Sequence, residues 1–197
     1  ILPEPTLSMS YVFSSVLGGE MSYRFVRTAK DIATLYDGLI MRNYRTLTAY
    51  QPDLTRGYSN TFSAKLNYKD VFKMMFAGAG VYYSLGRPKV LYGYNYDGIY
   101  AEAVGMRTDE LSHSVRAEVD FSKGFHWANT TVKAEADVIV SEHPYLAQDR
   151  ITRTRSNVVQ LGVYLTMEPW KWMNLSYSGE VMRSQSLQSD GESFPVL

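Results

Sequence analysis

The stretch from 114 to 140 sets the strongest constraint on what this chain can fold into. Val115, Ala117, Val119 and Phe121 alternate with Arg116, Glu118, Asp120 and Ser122, and the alternation resumes after the run KGFHW. Thr130, Val132, Ala134, Ala136 and Val138 then stand against Thr131, Lys133, Glu135 and Asp137. Successive side chains of a strand point to opposite faces, so strict period two specifies two β-strands, each with one apolar and one polar face. With residues 124–127 as the loop, the expected register sets Glu118 against Lys133 and Arg116 against Glu135. Opposite charges so placed stabilise a pair by up to about 1 kcal/mol.

The same alternation recurs along the chain. Leu7, Met9, Tyr11 and Phe13 form one apolar row, and Met21, Tyr23 and Phe25 a second. Phe62, Ala64, Leu66 and Tyr68 precede Ala77, Ala79, Val81, Tyr83 and Leu85. Val159, Leu161, Val163 and Leu165 precede Met173, Leu175, Tyr177, Gly179 and Val181. Helical periodicity is confined to a turn around Asp31 to Tyr36. The expectation is an all-β, antiparallel up-and-down meander of about eight long strands. Short turns at Gly18-Gly19, Asp70, Gly124 and Pro169 alternate with long connections at about 28–57, 87–110 and 142–155.

Alternation alone leaves open what the apolar face meets, because a soluble β-sandwich or lipocalin-like fold alternates too. Strand length favours a membrane: the segments run to about 10–12 residues, against roughly 5–6 in soluble proteins and about 9–11 for a tilted bilayer-crossing strand. The rhythm of tight turns at one end and long loops at the other is that of outer-membrane barrels. The rims agree. At the tight-turn end the apolar rows run into Lys73, Lys123 and Lys171, with Phe121, Trp127, Trp170 and Trp172 nearby. At the other end they run into Arg27, Arg87, Arg153, Arg155 and Arg183. Aromatics and snorkelling cations belong at the two interfaces of a lipid-facing surface. The apolar face is therefore expected to meet lipid and the polar face a lumen. The five arginines are expected to meet the phosphate and carboxylate groups of lipopolysaccharide, which guanidinium binds bidentately.

Composition removes several function classes. Lys plus Arg and Asp plus Glu both number 20, so no charge imbalance calls for nucleic acid. With no cysteine there is neither a disulfide frame nor a thiolate metal site. No apolar run approaches the roughly 20 residues of a membrane helix. His113, His126 and His143 lack metal-ligand or acid–base spacing, and Glu118, Asp120, Glu135 and Asp137 read as a solvated lumen wall. GAGVYY lies mid-strand with no helix after it, unlike a phosphate-binding turn. No catalysis, metal or cofactor is expected. Tyr92, Tyr94, Tyr96 and Tyr100 share one parity in an outer connection. They are candidates for a stacking surface on a ligand, or for a strand extension packed on neighbouring loops with Asp97-Gly98 as its turn.

The runs DIATLYDGLIMRNYRTL, YKDVFKMMFAGAGVYYS, FSKGFHWANTTVKAEADV and EPWKWMNLSYSGEV carry a family resemblance. Over its whole length the chain resembles part of the barrel of TonB-dependent outer-membrane transporters, particularly nutrient receptors of the starch-utilisation type. Such transporters have a barrel of ~22 strands around an N-terminal plug. The resemblance implies that residues 1–197 are an internal barrel section of about eight strands, without the plug or the TonB-contacting segment. It also implies energised uptake of a bulky nutrient across the bacterial outer membrane. The implied partners are outer-membrane lipid, a plug domain, TonB and a surface lipoprotein. A passive porin, a small anchor barrel and a soluble binding module remain the alternatives.

Overall fold

The computed structural model describes residues 4–28, 39–43, 46–49, 57–97, 100–147, 150–188 and 193–196, some outer strands by their backbone alone. Eight principal strands carry the fold: β1 (Thr6–Val12), β2 (Leu17–Thr28), β5 (Gly57–Asp70), β6 (Met75–Arg87), β9 (Ser112–Phe125), β10 (Thr130–Ala147), β11 (Arg150–Trp170) and β12 (Met173–Gln188). Five shorter ones are β3 (Leu39–Asn43), β4 (Thr46–Ala49), β7 (Val90–Asp97), β8 (Tyr100–Arg107) and β13 (Ser193–Val196). The principal strands pair antiparallel in chain order, and β13 adds to β12. This is the expected up-and-down meander: a single open sheet, consistent with a section of a barrel. The helical turn expected at 31–36 lies outside the described residues.

The alternating faces follow the sequence. Met9, Met21, Ala64, Val81, Ala117, Val138 and Val159 are direct cross-strand partners in one row and so share a face. Among the described residues no second layer covers that face. Val119, Leu161, Val163 and Val181 are exposed, and among the described residues the buried hydrophobic side chains are Leu91 on β7 and Leu146 near the outer end of β10.

Two turns differ from expectation. The first hairpin closes at 13–16, with Gly18 and Gly19 already paired in β2 to Val12 and Tyr11. Ser14 brings the reversal forward: its Oγ accepts from the Val16 and Leu17 amides at 3.3 and 3.1 Å. In the third hairpin the last pair is Phe125 with Thr130, so the loop is 126–129, two residues later than expected. Ala128 and Asn129 adopt left-handed φ of 50° and 44°, a conformation asparagine tolerates well. The Thr130 hydroxyl fastens the loop by donating to the Trp127 carbonyl at 2.7 Å. The register changes accordingly. Glu118 stands opposite Asp137, and Glu135 opposite Asp120, in place of the expected Glu118–Lys133 and Arg116–Glu135 pairs. The shift is even, so the faces are unaffected.

The sheet is staggered with a regular step. A row of direct partners starting at Leu17, the first residue of β2, passes through Tyr68, Ala77, Phe121, Ala134 and Val163 to Gly179. At Ala77 it is two residues inside β6, at Ala134 four inside β10, and at Gly179 six inside β12. The step is one residue per strand. At roughly 3.3 Å per residue and 4.8 Å between strands it corresponds to a tilt of about 35°.

Above the long-loop end, β10 and β11 continue as a hairpin past the last β9 pair. β7 joins β10 there in parallel, through Leu146–Gly93 and Ala147–Tyr94. β8 pairs with β7, β4 joins β8 in parallel, and β3 pairs with β4. The connections expected to be long thus extend the sheet beyond the principal strands, and Leu91 and Leu146 are both buried there.

Candidate functional site

The polar face of the principal sheet carries two tiers. The lower tier lies between β6 and β12. Glu118 and Asp120 on β9 face Asp137 and Glu135 on β10, with Glu180 on β12 reached across Gly162 of β11. Like charges directly opposite destabilise a ladder, and four neighbours offset this. Arg116 donates from Nε to Asp137 Oδ2 at 2.6 Å and lies 3.2 Å from Glu118 Oε2. Lys133 Nζ is 2.7 Å from Glu135 Oε2. The Tyr82 hydroxyl donates to Glu118. The Tyr164 hydroxyl stands 2.6 Å from Glu135 Oε1 and 2.7 Å from Glu180 Oε1, one hydrogen between two carboxylates. A groove of about 470 Å³ opens here, lined by Arg116, Glu118, Asp120, Lys133, Glu135 and Asp137. The carboxylates were expected as a solvated, charge-matched wall. The structure brings them together, with Arg116 set diagonally to Asp137 and Lys133 two residues along the strand from Glu135.

A repeated local device builds this tier. Gly80-Val81-Tyr82 and Gly162-Val163-Tyr164 each place a glycine opposite a glutamate and a tyrosine two residues on. A side chain at Gly162 would meet Tyr164 Oη at 2.9 Å and Glu135 Cγ at 3.0 Å, so its absence is what lets the ring lie flat toward the acid. Lys65 and Lys133 cover the rings of Tyr82 and Tyr164 at 5.2 and 5.4 Å, within cation–π range.

The upper tier is a row of hydroxyls that parity alone does not reveal. Thr61, Ser84, Ser114, Ser141, Ser156 and Ser186 are consecutive direct partners across β5, β6, β9, β10, β11 and β12. The signal in the sequence is a serine or threonine at polar parity near the loop end of each strand, which only the register aligns. In the neighbouring row Ser22 and Ser63 share a hydrogen bond at 2.7 Å.

The tyrosines of the outer hairpin separate. Tyr92 and Tyr94 on β7 are exposed. The register pairs Tyr96 with Ala101 and Tyr100 with Asp97, so Tyr100 runs in step with Asp97 rather than with Tyr92 and Tyr94. Asp97, expected in the turn, is still paired in β7, and the side chains of Tyr96 and Tyr100 lie outside what is described. The expectation of one four-tyrosine surface is corrected: even positions of β7 pair with odd positions of β8, so Tyr100 falls on the other parity. The alternative reading of a strand extension holds for the backbone.

The rim arginines also divide. Arg87 is 3.0 Å from Asp109, and Arg153 is 3.1 Å from Glu142 and also paired with Glu110. Lys89 donates to Asp109 at 2.5 Å. This bond, followed by the Lys89 and Arg87 charges, holds the Asp109 carboxyl below its ordinary value. Arg27 packs 5.5 Å from the Phe25 ring, while Arg155 and Arg183 are exposed without an ion pair among the described residues. At the opposite rim each tight turn presents an exposed aromatic: Phe13, then Phe72 at 99%, Trp127 at 73%, and Trp172 at 80% stacked on Trp170. Lys73 is 3.6 Å from Asp70, and the Lys73 amide donates to Asp70 at 3.0 Å.

The histidines stay apart. His113 sits on the apolar face with its Nδ1 3.1 Å from the Tyr83 hydroxyl, and His143 Nδ1 is 2.5 Å from Ser112 Oγ on the polar face. Among the described residues no carboxylate orients His143, and no group of acids and histidines is spaced to hold a metal. No helix among the described residues is long and apolar enough to cross a membrane, which leaves crossing by strands open. No family model, curated protein or solved structure matches the chain.

Proposed function

We propose that this chain is a section of the barrel wall of an outer-membrane, TonB-dependent nutrient transporter. Its polar face and outer sheet contribute the ligand surface, and its apolar face meets lipid. One observation carries the membrane reading: the apolar belt slants across the sheet in step with the turns. On β2 the belt runs from Leu17 to Phe25 and gives way to Arg27; on β12 it runs from Met173 to Val181 and gives way to Arg183. The row of partners through Phe25 reaches β12 at Leu187, six residues beyond Val181. Both edges of the belt therefore fall by the same six residues over six strands, parallel to the line of turns. At a tilt of about 35° the belt is roughly 22 Å deep, against ~25 Å and 35–45° for membrane barrels. A sandwich core has no reason to keep its apolar rows parallel to a tilted plane. A bilayer imposes it.

Support for transport comes from the charged and hydroxyl-bearing polar face, which suits a wet lumen, and from the loop sheet above it. The family resemblance adds energised uptake. The test is made in the host. The protein should sediment with outer membranes and run faster on gels unheated than heated, and recovery in the soluble fraction would end the membrane reading. Deleting the gene should abolish uptake of a nutrient whose import stops when the proton gradient is collapsed. Import that survives the collapse would make the protein a passive pore.

A further inference from the structure

We propose that the lipid face of β11 and β12 carries a site for lipopolysaccharide, held by Arg155 and Arg183. The proposal rests on the outer-membrane reading above and adds a specific ligand to it. Asn157 pairs with Gln185, Val159 with Arg183 and Arg155 with Leu187, so both arginines and both amides share the apolar face. They stand immediately beyond Val159 and Val181, at the height where an outer leaflet places its sugar and phosphate groups. Of the five rim arginines, Arg87 and Arg153 are neutralised by Asp109, Glu110 and Glu142. Glu142, the carboxylate directly opposite Arg155, is engaged by Arg153. Three positive charges are therefore left without a protein counter-ion among the described residues: Arg27, set against the Phe25 ring on β2, and Arg155 and Arg183, on adjacent strands.

Between them, Asn157 Oδ1 is sequestered from water with no hydrogen-bond partner. Its direct partner Gln185 is exposed and is the amide placed to hydrogen-bond a sugar hydroxyl between the two arginines. Arg155 and Arg183 are four residues apart in register on adjacent strands, roughly 14 Å between backbones. The acylated disaccharide of lipopolysaccharide and its adjoining core sugars carry phosphate and carboxylate groups spread over such a length, and the guanidinium fork binds either one bidentately.

The protein is extracted from its own outer membrane in detergent, and co-purifying lipopolysaccharide is measured per mole. With R155Q/R183Q it should fall by about tenfold or more, as expected for losing two charge-assisted contacts. R87Q/R153Q should leave it unchanged. Fold is checked by heat-modifiable mobility. If the double variant does not fold, the single variants R155Q and R183Q are read in the same way, each losing part. Unchanged lipopolysaccharide in folded variants overturns the proposal, as does its displacement by inorganic phosphate, which would mark a free-anion site. Protein absent from the outer membrane would instead overturn the reading beneath it.

Discussion

Glu118 stands directly opposite Asp137 across the β9–β10 ladder, and the guanidinium of Arg116 reaches both carboxylates. The pair is tolerable only with that cation in place. Replacing Arg116 with glutamine should destabilise the folded protein by about 1 kcal/mol, the scale of an exposed pair plus an unrelieved like-charge contact. Adding Asp137→Asn should return most of the loss. Urea unfolding in lipid vesicles measures both variants, and a double variant no better than R116Q would show that Arg116 acts otherwise.

The three tryptophans of the chain, Trp127, Trp170 and Trp172, all sit at tight turns on one rim. Their fluorescence in vesicles should be quenched by lipids brominated near the glycerol backbone and little by bromines at the acyl ends. Strong quenching from the bilayer centre would contradict the position of the belt.

Val119 lies near mid-depth of the apolar belt, and Ser84 on the polar face. Val119→Arg should cost about 2–4 kcal/mol of folding free energy in bilayers, the range for a midplane arginine on a barrel's lipid face. Ser84→Arg should cost less than about 0.5 kcal/mol. Equal costs would mean that the two faces meet the same solvent.

Much of this could be read from residues alone, and what could not has a physical reason. Parity assigned Val115, Ala117 and Val119 to one face, because a strand has only two. Register stayed hidden, because slipping the hairpin by an even step keeps every side chain on its face. The left-handed Ala128 and Asn129 and the Thr130 hydroxyl fix the turn. Gly18-Gly19 has the composition of a reversal, yet the Ser14 hydroxyl completes one four residues earlier. The serine row and the Glu135–Tyr164–Glu180 contact are products of register, so no single strand announces them.

Gly93 packs face-on against Leu146, where an added methyl would overlap the Leu146 carbonyl. Gly93→Ala should detach β7 from β10 and expose 88–108 to proteases while the principal sheet keeps its mobility on gels. Gly86→Ala, whose nearest neighbour would be an ordinary 3.7 Å away, is the control and should behave as wild type.

Asp109 clasps Lys89 and Arg87 where β6, β7 and β9 meet. Its carboxyl is held below its ordinary value in the folded chain, so the clasp is fully present above the unfolded value of about 4. It is lost as pH falls through the lower folded value. Protease sensitivity of 88–111 should therefore rise on the acid side of about pH 4. Asp109→Asn should show the sensitivity at neutral pH and flatten the profile. A profile unchanged by that substitution would assign the acid response elsewhere.

The one-residue stagger gives the hydroxyl row a direction. Because the row follows direct partners while the strands lean by about 35°, in the proposed barrel it would spiral around the wall rather than circle it level. From Ser186 on β12 to Thr61 on β5 it crosses five inter-strand gaps. At the spacing of paired strands the descent along it is roughly 14 Å. In the proposed transporter a ligand that exchanges one hydroxyl for the next would turn as it sinks, on a thread cut by strand tilt.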